Sequence, residues 1–382
     1  MSKIDLLIES KVREQGTWIE IDRAALRHNL AQLIGFTLPS ATILAVVKAN
    51  AYGHGLQEIV ESLREQVSYF GVASIEEVLA IRRFEVETPI LLFGVPPRDV
   101  IDLAIQADAT LAVSSLEQGK EISERAQTLH RPARIHIKID TGMGRLGIPK
   151  SLALKTIVEL AAFEMLELEG IFTHFPQGDD ENDSFTQNQI QIFEDLIGKA
   201  SQKGIHFTYC HAANSTGIVN YKGAHFNLVR PGLSLYGIYP SEGLKKKLTL
   251  KPVLNWRARL NLIKKLGPGE STGYNRTFIA SQETTIGIIP VGYGHGYPFS
   301  LSNKGEVLFN GRRFPVVGRV SMDYIAVNFG PNFSEVKAGD RITLLGRDGG
   351  ETLSAESLAE KAETIPYEIV TRINPTIPRI VL

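Results

Sequence analysis

The sequence contains almost no cysteine, almost no net charge and no long apolar run. Its single cysteine, Cys210, excludes an internal disulfide framework and is typical of proteins in a reducing compartment. A formal net charge of -1 at pH 7 provides no long-range field for collecting nucleic acid or an anionic membrane. No run of about 18 apolar residues occurs, so we expect no membrane-spanning helix.

Charged side chains interrupt the first stretch of the chain, residues 1–16, which contains Lys3, Asp5, Glu9 and Lys11. A secretory signal peptide needs an apolar core of about 7 to 15 residues, and none survives these charges. We therefore expect a cytoplasmic protein in which residues 1–16 form an N-terminal segment ahead of the folded domains.

The length of 382 residues is too great for one ordinary hydrophobic core and indicates two domains. A hydrophobic content of 43% and a charged content of 22% are typical of soluble globular proteins. Apolar strands alternate with amphipathic helices through the first part of the chain, as in parallel α/β proteins. The predicted strands lie at residues 43–47, 69–73, 90–93, 110–113, 134–139, 168–173, 206–210 and 227–229.

This series of strand–helix units, with polar residues at the strand ends, favours a (β/α)8 TIM-type barrel over residues 17–244. A doubly wound sheet also alternates strands and helices, so the periodicity alone leaves that alternative open. A short strand at 18–21 precedes the series and is a candidate for pairing with the C-terminal domain. Asp22, Ser74 and Ser115 are each placed to cap a helix.

The pattern changes near Ser241, where three lysines and then Pro252 suggest a solvated linker rather than a nucleic-acid patch. Short β runs separated by Gly and Pro then predict a second, β-rich domain over residues 245–382. Ser354 is placed to cap a helix near its end. The predicted strands of this domain lie at residues 257–266, 283–290, 305–309, 313–317, 325–329 and 341–345.

Lys48 lies at the C-terminal end of the apolar, β-branched run 43–47, and a turn with two glycines follows it. Partial desolvation disfavours the ammonium form of such a lysine and makes its amine a better nucleophile or base. Amines of this kind form Schiff bases with carbonyl compounds, among them pyridoxal phosphate. Most lysines at strand ends are simply solvated, so other motifs have to decide between the two interpretations.

Two loops follow the seventh and eighth predicted strands, where barrels often hold a phosphate group. Residues 211–215, His-Ala-Ala-Asn-Ser, offer a hydroxyl and small side chains that let backbone N–H groups approach an anion. Residues 230–237, Arg-Pro-Gly-Leu-Ser-Leu-Tyr-Gly, form the second loop. Either composition on its own is more often structural than functional.

Together with Lys48, these loops resemble motifs of the alanine racemase family. Residues 46–55, Val-Val-Lys-Ala-Asn-Ala-Tyr-Gly-His-Gly, are similar to the cofactor-lysine motif of that family. The resemblance implies a pyridoxal-phosphate enzyme in which Arg230 faces the pyridine nitrogen of the cofactor. The residues that it places on or beside the cofactor are Lys48, Tyr52, His174, Asn214, Ser215, Arg230, Gly232, Leu233 and Tyr367.

The implied position of Arg230 has a chemical consequence. A guanidinium keeps its proton at ordinary pH, so it can only donate a hydrogen bond to an unprotonated ring nitrogen. Such a ring withdraws electrons less strongly than a pyridinium, and side reactions such as transamination become less accessible. Removal of a proton from one face of Cα and its return to the other remain possible, which suits a racemase.

A glycine pattern at residues 142–147 permits two interpretations. Gly-x-Gly-x-x-Gly after a strand, with Glu167 further on, suggests a dinucleotide site when taken alone. The pattern follows the fifth predicted strand, however, and residues 138–147 resemble the Lys-x-Asp-Thr-Gly-Met-Gly-Arg-x-Gly motif of alanine racemases. That resemblance implies that Arg145 binds the substrate carboxylate through its two-pronged guanidinium. It also implies that Lys138, which can be carbamylated in that family, helps to orient the arginine.

Racemisation requires a second base on the face of Cα opposite Lys48. Residues 273–278, Gly-Tyr-Asn-Arg-Thr-Phe, resemble the Gly-Tyr-x-x-Thr-Phe loop of the family, whose tyrosine, here Tyr274, is that base. In the family this tyrosine comes from the partner subunit. The resemblance therefore implies a homodimer with shared active sites.

Two more segments of the β-rich domain carry the resemblance. Residues 318–323 resemble the Gly-Arg-x-Cys/Ser-Met-Asp segment, which implies that Met322 limits the space around the substrate side chain with Asp323 in support. Residues 292–298 match the entrance segment less well, because the usual charged residues are missing. The resemblance places Tyr297 of this segment on the substrate.

The resemblance thus implies an isomerase that interconverts L-alanine and D-alanine and supplies D-alanine for cell-wall peptidoglycan. We expect no metal site. A decarboxylase of similar architecture usually presents a cysteine from its partner subunit, whereas Cys210 lies in a predicted barrel strand. A non-enzymatic cofactor-binding protein with a similar lysine-bearing barrel is the other alternative, but such proteins lack a β domain.

Overall fold

The computed structural model of the chain describes residues 16–94 and 96–382. The predicted N-terminal segment 1–16 lies outside these residues except for Gly16. A parallel barrel surrounded by helices is followed by a strand-rich domain, as the sequence predicted. Within the described residues, no helix combines the length and the apolar character needed to span a bilayer.

The eight parallel barrel strands follow one another in chain order, and the last strand lies beside the first, whereas a doubly wound sheet reverses its strand order. Between the strands at residues 209–211 and 228–229 the barrel is nearly closed, since the backbone N–H of Arg230 donates to the carbonyl of Ala213 at 2.9 Å. The first described strand is β1 (Thr17–Ile21). The barrel strands are β2 (Thr42–Val46), β3 (Tyr69–Val72), β4 (Ile90–Leu92), β5 (Ala109–Val113), β6 (Ala133–Asp140) with its short neighbour β7 (Ile148–Pro149), β8 (Leu166–Phe172), β9 (Tyr209–His211) and β10 (Leu228–Val229).

Three of the helices around the barrel begin at N-caps that the sequence predicted. The side chains of Asp22, Ser74 and Ser115 each accept a hydrogen bond from a backbone N–H three residues further on, which satisfies a donor that the first helical turn leaves free. The helices around the barrel are α1 (Arg23–Phe36), α2 (Leu56–Leu63), α3 (Ile75–Arg83), α4 (Arg98–Gln106), α5 (Leu116–Thr128), α6 (Ala153–Ala161), α7 (Ser184–Ser201), α8 (Ser215–Asn220) and α9 (Glu242–Lys245).

The second domain is built on a sheet to which β1 also belongs, because β1 pairs antiparallel with β11 and parallel with β21. Its strands are β11 (Leu254–Arg259), β12 (Leu262–Leu266), β13 (Ser271–Thr272), β14 (Phe278–Ile279), β15 (Thr284–Ile289), β16 (Glu306–Phe309), β17 (Arg312–Val317), β18 (Ile325–Gly330), β19 (Arg341–Asp348), β20 (Glu351–Leu353) and β21 (Arg379–Val381). Helices α10 (Ala355–Ala362), capped by Ser354, and α11 (Pro366–Thr371) lie between β20 and β21.

The single strand predicted over 257–266 is two strands in the structure. The chain changes partner at Leu260, whose N–H donates to the carbonyl of Asp340, whereas the N–H of Asn261 donates to that of Ile288, both at 2.8 Å. Strand β11 thus pairs with β19 and strand β12 with β15. Both strands contain apolar residues among basic ones, so the local pattern did not indicate this change of partner.

A left-handed helical turn follows β2 and begins at Lys48. Ala49, Asn50, Ala51 and Tyr52 all have φ between 52° and 54°. Each residue costs about 1 to 2 kcal/mol in this conformation, so the surroundings have to hold it. The N–H of Asn50 donates to the Glu77 carboxylate at 3.2 Å, and the Asn50 side chain accepts from the N–H of Leu56 at 2.8 Å. The sequence predicted a turn here but not its hand.

The second domain supports this turn at Gly53, which has φ of +79° and would place a Cβ atom 1.9 Å from the carbonyl oxygen of Val370 in α11. We expect Gly53→Ala to lower the free energy of unfolding by about 2 to 4 kcal/mol, the sum of left-handed strain and overpacking. Gly204 is the matched control, because its φ is +80° and nothing lies within 4 Å of a Cβ built there. Gly204→Ala should cost only about 1 kcal/mol in urea titrations. Equal losses would show that the contact with α11 contributes nothing.

Candidate active site

A cavity of about 430 Å³ opens at the carboxyl ends of the barrel strands. This is the end of a (β/α)8 barrel at which functional side chains are normally found. Motifs that are far apart in the sequence meet there. The predicted site residues that line the cavity are Lys48, Tyr52, Lys138, Arg145, His174, Asn214, Ser215, Arg230, Gly232 and Tyr367.

Lys48 is half-buried at the start of the left-handed turn. Burial, followed by the positive charge of Arg145, lowers the pKa of its ammonium group, and the Glu77 carboxylate opposes this shift. A larger fraction of the amine is therefore neutral near neutral pH than in an exposed lysine. The left-handed turn carries Lys48 out of the buried strand and into the cavity wall.

A second group of lining residues offers hydrogen-bond donors and a close backbone approach. The Ser215 hydroxyl accepts from the N–H of Gly232 at 2.9 Å and keeps its own proton available. A Cβ atom on Gly232 would lie 2.8 Å from the Tyr52 hydroxyl, so any other residue would intrude on the space between the loop and that phenol. The ring of Tyr52 lies 6.1 Å from that of Tyr367.

Two predicted cofactor residues, Asn214 and Leu233, contribute to these loops through backbone geometry. The Asn214 side chain caps α8 by accepting from the N–H of Gly217 at 2.9 Å, which fixes the first turn that carries Ser215. Leu233 is buried and starts a short 3₁₀ helix, Leu233–Tyr236. Because its side chain lies in the core, only its backbone is available to a ligand.

Arg230 is fully enclosed in the wall of the cavity. Burial lowers the pKa of its guanidinium to about 9, which leaves it positively charged at neutral pH. One Nη group donates to Nδ1 of His211 at 2.9 Å, and the other donates to the carbonyls of Thr173 at 2.7 Å and Ala212 at 2.9 Å. Among the described residues no protein acceptor faces its Nε–H, and that donor remains for a ligand in the cavity.

The remaining basic residues of the lining contribute to a positive electrostatic potential in the cavity. Burial and the charge of Arg145 lower the pKa of Lys138 to about 8. Burial and Arg230 lower the pKa of His174 to about 3, so His174 is neutral at physiological pH. Such a cavity favours a ligand that carries more than one negative charge.

Several lining residues were missed in the sequence, namely Val46, Ala73, Phe93, Gly94, Leu146, Phe172, Thr216 and Pro240. Ala73 and Phe93 follow the ends of β3 and β4, and Phe172 is the last residue of β8. Their positions at strand ends were the available signal, but their apolar types suggested core. The Phe172 ring stacks on His211 with centroids 4.8 Å apart and lies 5.6 Å from the Lys138 ammonium and the Arg230 guanidinium.

Of the predicted residues of the second domain, Tyr367 lines this cavity, whereas Tyr274, Tyr297, Met322 and Asp323 do not. Tyr274 is 70% exposed and Met322 is 55% exposed, and Asp323 is exposed beside it. The loop of Tyr274 packs near Gly318 and Arg319, in the segment that carries Met322. Other exposed apolar side chains of this domain include Ile279, Tyr293, Phe299 and Tyr324.

The expected substrate contact by Tyr297 is wrong. Its side chain is 1% exposed and packs edge-on against Trp256, with ring centroids 6.2 Å apart. Its hydroxyl points into the protein without a hydrogen-bond partner among the described residues. The exposed tyrosine of the same segment is Tyr293, which precedes the turn at Gly296. Alternating Tyr and Gly residues in the motif made the two tyrosines indistinguishable by pattern.

Comparison with known proteins decides the family. The alanine racemase N-terminal domain model matches residues 21–240, and the alanine racemase C-terminal domain model matches residues 253–381. The chain belongs to the alanine racemase family. It is accordingly an enzyme, an amino-acid racemase of the isomerase class.

Individual members of the alanine racemase family match over almost the whole chain. Alanine racemase of Geobacter sulfurreducens is 41% identical over 372 residues, which cover 96% of this chain and 97% of the relative. The structure of alanine racemase from Bacillus anthracis with bound L-Ala-P has a TM-score of 0.90 at 33% identity, covering 96% of this chain and 95% of that one. Alanine racemase from Bartonella henselae with covalently bound pyridoxal phosphate has a TM-score of 0.85 at 30% identity, covering 96% and 99%.

The electrostatics of this racemase predict how Lys48 responds to its neighbour. Arg145→Gln should raise the pKa of Lys48, because it removes the cation that disfavours the ammonium form. Acetic anhydride labelling of the cofactor-free protein, followed by mass spectrometry across a pH series, measures this pKa. Lys155, which has 77% of its side chain exposed, is the internal control and should not change. A labelling midpoint of Lys48 that stays constant or falls would contradict the effect of Arg145.

Proposed function

We propose that the chain interconverts L-alanine and D-alanine with pyridoxal phosphate, in the cytoplasm, and supplies D-alanine for cell-wall peptidoglycan. The observation that carries this proposal is the juxtaposition of a half-buried lysine of lowered pKa with a donor-rich loop in one cavity. A racemase described with covalently bound pyridoxal phosphate and another described with bound L-Ala-P are among its structural neighbours.

The lining residues fit pyridoxal phosphate. A cavity of about 430 Å³ has the size of a cofactor site, and Gly232 leaves space beside Tyr52 that a Cβ atom would fill. Ser215, Tyr52, Tyr367 and the backbone of Gly232 and Leu233 would hold the phosphate, and Lys48 would hold the aldehyde carbon. When bound, the cofactor supplies an electron-withdrawing ring that acidifies the Cα–H of an amino acid attached to it.

The chain's own groups determine which chemistry follows. Arg230 would donate its Nε–H to the ring nitrogen, and because it cannot protonate that nitrogen, the ring stays a moderate electron sink. Arg145 would bind the substrate carboxylate, with Lys138 at its side. Lys48 would take the proton from one face of Cα or return it there.

The opposite face requires a second proton donor and acceptor, and Tyr274, to which the resemblance gives this role, does not line the cavity of its own chain. The partner's Tyr274 would provide it in a homodimer, with Met322 and Asp323 on the same exposed surface. Arg230 and the neutral His174, whose nearest nitrogens are 3.4 Å apart, would help that phenol to release its proton. The exposed apolar side chains around Tyr274 and Met322 support an interface there.

Chiral chromatography of a panel of L-amino acids incubated with the cofactor-loaded protein tests the proposal. We expect D-alanine from L-alanine and the reverse, and no carbon dioxide in the headspace. Loaded protein that leaves both alanine enantiomers unchanged while acting on a different amino acid would overturn the substrate assignment. Loaded protein that is inert towards the whole panel would overturn the enzymatic proposal.

A further inference from the structure

We propose that Glu169, inside the barrel and remote from the cavity, fixes the tautomers of His136 and His211 and thereby holds the Arg230 guanidinium in its orientation. Glu169 would be a positioning residue that acts through two imidazoles. The order of hydrogen bonds stands on the contacts alone. Its importance for catalysis rests on the function proposed above, in which Arg230 faces the cofactor ring.

The contacts form one continuous chain through the barrel interior. Arg230 Nη1 is 2.9 Å from Nδ1 of His211, and Nε2 of His211 is 2.8 Å from Nδ1 of His136. Nε2 of His136 is 3.2 Å from Oε2 of Glu169. Both imidazoles are completely buried, so no water competes for their nitrogens.

The direction of proton donation follows from the two ends. A guanidinium can only donate, so Nδ1 of His211 accepts and its proton lies on Nε2. That proton is donated to Nδ1 of His136, which therefore also carries its proton on Nε2 and donates it to Glu169. A carboxylate can only accept, so the other end of the chain requires the same order. Both imidazoles are neutral in this arrangement.

The surroundings keep each group in the charge state that this series of hydrogen bonds requires. Burial, reinforced by the charge of Arg230, lowers the pKa of His211 well below its ordinary value, and burial also lowers that of His136. Although burial opposes ionisation of Glu169, hydrogen bonds from His136 and Tyr69 lower its pKa. The Tyr69 hydroxyl donates to Oε2 of Glu169 at 2.5 Å, and that of Thr110 does so at 3.2 Å.

This series of hydrogen bonds, from Arg230 to Glu169, runs along the length of the barrel. Tyr69 and Thr110 stand at the beginnings of β3 and β5, whereas His211 ends β9 and Arg230 follows β10. Parallel strands place these groups near opposite ends of the barrel. Glu169 is therefore far from the cavity, while Arg230, which it orients through the two histidines, lies in the cavity wall.

Loss of the Glu169 carboxylate would reverse the direction of these hydrogen bonds or break one of them. If Glu169 were leucine, the Nε2–H of His136 would have no acceptor from that position. If this proton moved to Nδ1 of His136, two N–H donors would face each other, because Nε2 of His211 also carries a proton. His211 would then have to place its own proton on Nδ1, against the N–H of Arg230, and the guanidinium would lose the acceptor that fixes one of its edges.

Nuclear magnetic resonance of ¹⁵N-histidine in the full chain, with and without cofactor, measures the tautomers directly. Signals are assigned by their loss in His136→Gln and His211→Gln. We expect both imidazoles to be neutral and protonated on Nε2 from about pH 6 to about pH 9. Protonation of either ring on Nδ1, or of both nitrogens, would overturn the proposal whatever reaction the protein catalyses.

Glu169→Leu and Glu169→Gln separate positioning from stability, and Glu167→Leu, at an exposed position of the same strand, is the control. Glu169→Leu should move the His211 proton to Nδ1, shift the absorption band of the bound cofactor and lower kcat about 10- to 100-fold, by analogy with the hydrogen-bond partners of metal-binding histidines. KM should change less than kcat. Glu169→Gln, which keeps an acceptor oxygen, should retain the Nε2 tautomers and most of the activity.

Soluble Glu169→Leu with wild-type tautomers, cofactor spectrum and kcat would overturn the proposal. If that variant does not fold, the tautomers of the wild-type protein and of Glu169→Gln still test the proposal. Protonation on Nδ1 in either protein contradicts the proposed order of hydrogen bonds. Absence of racemase activity with Nε2 tautomers present would instead contradict the proposed function and leave the orientation of Arg230 by Glu169 intact.

Discussion

Replacement of Lys48 by alanine is expected to lower racemisation of alanine at least about 1,000-fold in both directions. One amine would both bind the cofactor and move the Cα proton, so its removal deletes two functions at once. The lowered pKa of Lys48 favours both roles, since each needs the neutral amine. Chiral chromatography of the products, starting from each pure enantiomer, measures the loss.

Reduction with borohydride supplies a second readout for Lys48. In the wild-type protein it should fix the cofactor to the peptide that contains Lys48, and in Lys48→Ala it should fix none. Lys155→Ala, which changes a lysine with 77% of its side chain exposed, should behave as wild type. Cofactor fixed to another lysine in the wild-type protein would refute the assignment, even if Lys48→Ala were inactive.

Tyr274→Phe is expected to lower racemisation about 100- to 10,000-fold in both directions, the usual contribution of an acid or base in the transition state. The variant removes only a hydroxyl from a side chain that is 70% exposed in one chain, so stability should change little. Tyr209→Phe, a hydroxyl deletion in a barrel strand, is the control for general effects. Wild-type rates in both directions would eliminate Tyr274 as the second base.

Mixed dimers test whether Tyr274 acts in the partner's cavity. Co-refolded Lys48→Ala and Tyr274→Phe chains would form heterodimers with one cavity that contains both intact groups and one that contains neither. We expect the mixture to regain about a quarter of wild-type activity, because about half of the dimers are mixed and each has one intact site. No recovery from dimers shown to exchange subunits would mean that Lys48 and Tyr274 do not act across an interface.

Local sequence pattern was sufficient for elements whose partners lie nearby in the chain. The barrel strands followed from apolar runs, since strands buried on both faces need apolar side chains throughout. Caps at Asp22, Ser74 and Ser115 followed from the hydrogen bond that each makes within its own first helical turn. The strand pair around Leu260 did not follow, because its break reflects a change of partner between β19 and β15.

Pattern was less reliable where burial decides the role of a side chain. Tyr293 and Tyr297 occur in one glycine-rich segment, and only the packing of Tyr297 against Trp256 shows which ring is inside. The left-handed turn at residues 49–52 was equally hidden, because alanine and asparagine there need the support of Glu77 and of α11. Neither feature leaves a trace in periodicity.

The sequence by itself determined that this protein is a barrel followed by a β-rich domain and that Lys48, Arg145 and Arg230 belong to one kind of site. It could do so because strand periodicity and short motifs depend on neighbouring residues. Only the tertiary structure decided which groups meet, that Arg230 is aligned by His211, and that Tyr274 lies outside its own chain's cavity. Hydrogen bonds across a barrel and exposure on its companion domain arise from residues that are distant in the chain.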